Sequence, residues 1–88
     1  MAISDREAIF DFIALDSPRA AVLIDERIES RVEALIDFPE SGRPGRIAGT
    51  RELVIAGTSY IAAYRSNAGV IRILRVLHSS QLWPETLL

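Results

Sequence analysis

A chain of 88 residues, 49% hydrophobic and of net charge −2, has room for one domain and none of the apolar depletion that marks disorder. The absence of cysteine excludes disulfides and thiolate chemistry, and a single histidine, His78, excludes a His/Cys zinc site. No apolar run approaches the ~18–20 residues that span a bilayer, and the opening MAISDREAIF lacks the form of a signal peptide, so a soluble, cytoplasmic protein without a membrane partner is expected.

Charge is divided along the chain. Residues 1–40 hold ten acids against four arginines, whereas residues 41–88 hold six arginines (Arg43, Arg46, Arg51, Arg65, Arg72 and Arg75) against Glu52 and Glu85. Every basic residue apart from His78 is an arginine, whose planar, permanently charged fork suits carboxylate and phosphate.

Ser4-Asp5-Arg6-Glu7 has the S-x-x-E form of a capping box and predicts a helix from Ser4 to about Leu15, with Ile9, Phe12 and Ile13 at helical spacing. Ser17-Pro18 predicts a restart, the serine as cap and the proline at the first helical position, where no amide hydrogen is missed. The second helix should run to about Asp37. Ala20, Leu23/Ile24, Ile28, Val32 and Leu35/Ile36 form its apolar stripe, and Glu26, Glu29, Glu33 and Asp37 its solvated side. So tight a junction implies an antiparallel helix hairpin, over about residues 4–38.

Phe38-Pro39 ends the helical region, and Glu40 to Arg46 read as a turn-rich connector. From there the apolar period becomes two. Arg51–Ala56, Tyr60–Ser66 and Val70–His78 read as strands, joined at Gly57-Thr58 and at Asn67-Ala68-Gly69. Alternation puts Val70, Arg72, Leu74, Val76 and His78 on one face of the last strand, and Ile71, Ile73, Arg75 and Leu77 on the other. The expected fold is α+β: a helix hairpin packed on a small antiparallel meander over about residues 50–78, followed by a C-terminal segment, 79–88.

The ordered set Gly42-Arg43-Pro44-Gly45-Arg46, Gly49-Thr50-Arg51-Glu52-Leu53-Val54, Tyr60-Ile61-Ala62-Ala63-Tyr64-Arg65, Ile73-Leu74-Arg75-Val76-Leu77-His78 and Gln81-Leu82-Trp83-Pro84 resembles the RelE/ParE toxin superfamily. Asp5-Arg6-Glu7-Ala8-Ile9 and Ser17-Pro18-Arg19-Ala20-Ala21 extend the likeness over nearly the whole chain. The resemblance implies the toxin half of a type II toxin–antitoxin system, neutralised by a cognate antitoxin, touching operator DNA only through that antitoxin and needing no cofactor. Members usually open with a β-strand, and only Met1-Ala2-Ile3 precede Ser4. The first family strand is therefore expected to be absent, which leaves a sheet edge open to strand addition.

RelE-like members cut messenger RNA in the ribosome with basic side chains on the sheet, whereas ParE-like members inhibit DNA gyrase. The resemblance puts the positions of those cations at Glu52, Val54, Ala56 and Ile61, which can neither donate a proton to a leaving oxygen nor stabilise phosphorane charge. Together with the ending Leu74-Arg75-Val76-Leu77-His78, this places the chain nearer the ParE branch, as a binding protein and not a hydrolase. A ribosome-dependent endoribonuclease, with Arg51, Arg65 and His78 converging on the sheet, is the alternative. A degenerate, non-toxic antitoxin-binding module is the third reading. Arg43, Arg46, Arg51, Arg65, Arg72, Arg75 and Trp83 are the candidate partner-binding residues. Their bland readings are loop charges and cross-strand ion pairs for the arginines, and an edge-closing core residue for Trp83.

Overall fold

In the computed structural model residues 2–80 are described. They form helix α1 (Ala2–Ala14), helix α2 (Pro18–Glu33) with a 3₁₀ turn at Ala34–Ile36, and strands β1 (Arg43–Pro44), β2 (Arg51–Val54), β3 (Tyr60–Asn67) and β4 (Val70–His78). The strands make one sheet in the order β1-β2-β3-β4, every pair antiparallel. This is the α+β arrangement expected, a helix hairpin on a meander. No described helix is long and apolar enough to cross a membrane.

The α2 start follows its sequence signal: Ser17 is extended (φ −153°, ψ 102°) and its Oγ accepts from the Ala20 N–H at 3.1 Å, with Pro18 in the first turn. The capping box at Ser4 is not used as one. The helix already runs from Ala2, which puts Ser4 inside its first turn. Asp5, next to it, turns away to the sheet: its Oδ2 accepts from Arg75 Nε (2.7 Å) and from the Val76 N–H (2.9 Å), and its Oδ1 from Arg75 Nη2 (3.0 Å). Arg6 ties the two helices through a forked pair to Asp25, both contacts 3.0 Å, with Glu29 at 3.5 Å.

The main core lies between the hairpin and one sheet face. Ile28, Leu35, Leu53, Ile55, Ala62, Tyr64 and Val76 are buried there, with Ile9, Ile24, Val32, Tyr60, Ile71 and Ile73 packed against them. Phe12, Leu23 and Ile36, expected in the apolar stripes, are instead exposed, because the seam turns Ile9, Ile24, Val32 and Leu35 toward the sheet.

The far face of the sheet carries a second, smaller cluster of Ala63, Leu74 and Leu77, covered by Ile47. Its membership overturns the simple alternation expected for the last strand. Tyr64 pairs with Ile73 but Ala63 pairs with Arg75, so Leu74 is an extra residue and β4 bulges there. Side chains before and after the bulge are out of phase. Ile71, Ile73 and Val76 therefore reach the same core, while Leu74 and Leu77 reach the other. The connector also differs from expectation, since Arg43–Pro44 pair with Glu52 and Arg51 as a short outer strand.

Candidate functional site on the arginine-bearing sheet

The connector between the helices and β2 is held by side chains, which explains how a loop rich in glycine and arginine keeps one shape. Tyr64 is fully buried, its Oη accepts from the Gly42 N–H at 2.9 Å, and its hydroxyl donates to the Pro39 carbonyl at 2.8 Å. A Cβ at Gly42 would stand 2.6 Å from that ring and hydroxyl, so only glycine permits the approach. Arg51, on the same face as its partner Tyr64, donates from Nη1 to the Gly42 carbonyl (2.8 Å) and the Glu40 carbonyl (3.4 Å).

Glu52, one residue along, faces the opposite side and is 3% exposed. Its Oε2 accepts from the Arg46 backbone N–H (2.8 Å) and Arg46 Nε (3.2 Å), and its Oε1 from Arg43 Nη2 (3.2 Å). Burial pushes this carboxyl up, but the Arg46 N–H and the two guanidinium groups outweigh it and hold the carboxyl below its ordinary value. Arg75, ion-paired to Asp5, is raised above its ordinary value chiefly by the hydrogen bond it donates to that carboxylate.

Of the six arginines in this half, Arg43, Arg46, Arg51 and Arg75 thus have partners inside the chain. Arg65 and Arg72 do not: they sit directly opposite each other on β3 and β4, both are exposed, and among the described residues neither has a carboxylate or other polar partner. Trp83, the remaining candidate contact, lies outside the described residues.

The three residues that would serve an acid/base site are not brought together. Arg51 and Arg65 belong to opposite faces, since Arg51 pairs with Tyr64, the neighbour of Arg65. His78 pairs with Tyr60 at the other end of β3, five residues from Arg65, or about 17 Å along a strand. His78 also faces the helices: its ring meets Tyr60 edge-on at 5.3 Å, beside a groove lined by Ala8, Ile9, Phe12 and Ser80. Its Nδ1 accepts from the Ser80 N–H (3.1 Å) and lies 2.7 Å from Ser80 Oγ. In the neutral ring this leaves the proton on Nε2, so neither nitrogen is an open base.

Sequence reasoning missed Asp5, Glu52 and Tyr64 as the residues that organise this sheet. For Glu52 a signal existed, an acid amid four arginines in residues 43–65. Asp5 and Tyr64 act across 70 and 22 residues, and no local pattern marks them.

The geometry has counterparts in known proteins. Residues 1–83 match the family model described as the ParE toxin of the type II toxin–antitoxin system parDE. Among curated proteins the chain is similar to "Putative toxin Y4kP" of Sinorhizobium fredii, at 45% identity over 98% of this chain and 88% of that one. It is also similar to "Toxin RelE2" of Caulobacter vibrioides, at 35% identity over 92% of this chain and 90% of that one. A solved structure titled "Chromosomal ParDE TA system from P. aeruginosa" superposes with a TM-score of 0.76 at 29% identity, covering 88% of this chain and 86% of that one.

Proposed function

Because the chain belongs to the ParE toxin family of type II toxin–antitoxin systems, we propose that it acts in the cytoplasm as a ParE-like inhibitor of DNA gyrase, silenced by its cognate antitoxin. The observation that carries this reading over a nuclease is the separation of Arg51, Arg65 and His78 onto different faces and ends of the sheet. General acid/base cleavage of a phosphodiester needs a proton acceptor and cationic groups within hydrogen-bond reach of one phosphate. Here the cations next to β2 are drawn onto the buried carboxylate of Glu52, and the histidine is turned to the helices.

The exposed apolar residues support a protein partner. Ile3, Phe12, Leu15, Ile36 and Phe38 are each 66–84% exposed, large apolar side chains that a partner could cover. An antitoxin that covers them would stabilise the toxin and block its target surface together.

The test is plasmid supercoiling by purified gyrase with added toxin. Inhibition that is reversed by the antitoxin is expected, and undiminished supercoiling at excess toxin sinks the reading. Primer extension on messenger RNA after induction should show intact transcripts. Codon-phased cuts abolished by His78→Ala or Arg65→Ala would move the assignment to a ribosome-dependent endoribonuclease. Tight antitoxin binding without growth arrest would mark a non-toxic module.

A further inference from the structure

We infer that Arg65 and Arg72 together form the carboxylate-recognition site through which this chain captures an acidic segment of its antitoxin; the inference rests on the toxin–antitoxin reading above. Four of the six arginines in the basic half are held by Glu52, by Asp5 or by backbone carbonyls. That leaves one pair whose charge is directed outward. Arg65 and Arg72 are directly opposed across β3 and β4, a placement in which like charges repel and destabilise the sheet. Side chains so opposed stand about 5 Å apart at Cβ, close enough for one carboxylate to lie between two guanidinium forks.

The surroundings define the ligand further. Among the described residues no helix packs on this face. Val70, two residues before Arg72 on the same side, is 66% exposed and offers an apolar contact beside the charges. On the other flank Arg65 lies against the loop before β2, where a Cβ at Gly49 would come within 3.0 Å of its Nη1. The site therefore fits a segment with an acid next to an aliphatic residue. A nucleic-acid backbone fits worse, because binding one needs several phosphate contacts and this chain has net charge −2. Two outward cations on an acidic protein suit a short acidic peptide segment.

The test is the association rate of the purified antitoxin encoded beside the gene, measured by stopped flow at low and moderate salt with the full-length toxin. Arg65→Gln and Arg72→Gln should each slow association several-fold and the double variant by about tenfold at low salt, with a weaker salt dependence, since steering charges act mainly on encounter. Arg65→Lys with Arg72→Lys should keep most of the rate, because the charge remains. Arg31→Gln, on the exposed side of α2, should leave it unchanged. Melting temperatures of the Gln variants should equal or exceed that of the wild type, since a repulsion has been removed. Unchanged association in the double variant overturns the inference while leaving the toxin–antitoxin reading standing. So does Lys failing to rescue. Binding of a 30-base-pair duplex by the toxin alone, lost in the double variant, overturns it in favour of phosphate. An antitoxin that does not bind the wild-type toxin removes the parent reading and this inference with it.

Discussion

Asp5 and Arg75, seventy residues apart, form a forked ion pair at 2.7 and 3.0 Å, and the same carboxylate also accepts the Val76 N–H from the outer side of β4. β4 is the last strand of the sheet, so that amide has no neighbouring strand among the described residues to pair with. The first turn of α1 supplies the acceptor instead. One aspartate thereby docks the helix hairpin, neutralises an edge arginine and closes part of an open edge.

Asp5→Ala should destabilise the fold by about 2–3 kcal/mol, the range for charge-assisted hydrogen bonds whose partners stay largely shielded from water. Urea unfolding of Asp5→Ala, Arg75→Ala and the double variant measures it, and a coupling of at least ~1 kcal/mol is expected for residues in direct contact. Additive losses would show that the two contribute separately.

Tyr64→Phe keeps the buried ring but removes the hydroxyl that joins Gly42 to Pro39. The Gly42 N–H would lose its partner in a buried place, at a loss of about 1–3 kcal/mol. Gly42→Ala should be at least as damaging, because its Cβ would press on the Tyr64 ring. If Tyr64→Phe melts at the wild-type temperature, the tether does not stabilise the connector.

Glu52 makes stability pH-dependent in a definite direction. Its carboxyl is held below its ordinary value in the folded chain, so unfolding takes up a proton in the acid range. Its contribution is complete above the unfolded value of about 4.3 and is lost as pH falls through the lower, folded value. Glu52→Gln should therefore be less stable than wild type near neutrality, and the gap should narrow below about pH 4. Melting curves of both proteins from pH 7 to pH 3 check this. A constant gap would mean that the charge is not what matters.

The β3–β4 turn places Ala68 at φ 51° and Gly69 at φ 79°, the pair of left-handed residues that a two-residue primed turn requires. Alanine in that region is unfavourable by roughly 1–2 kcal/mol, and asparagine tolerates it better. Ala68→Asn should raise stability by about 0.5–1 kcal/mol without altering any packing contact. A lower urea midpoint for the variant would show that the turn is not strained.

How legible the molecule was depended on the range over which each interaction acts. Ser17-Pro18 was readable because a cap and a first-turn proline work within three residues. The meander was readable from its period and its short turns. The start of α1 was not, since the Ser4 signature is overridden by Asp5, whose partners lie on β4. The roles of Arg43 and Arg46 depended on the depth at which Glu52 lies, and alternation alone gives no depth. Composition marked a basic half. Only the hydrogen bonds made across the fold separated the two outward arginines from the four held within the chain.

The bulge at Leu74 gives β4 two spatial reading frames within nine residues. Val70 and Arg72 stand exposed on the far face, and past the bulge Leu77 joins Leu74 on that same face, under Ile47. Deleting that one residue would restore an unbroken alternation in which Arg75, Val76 and Leu77 keep their β3 partners, at the loss of one leucine from the cluster. A single inserted residue thus lets one face of one strand show charge to solvent at its start and hold an apolar cluster at its end.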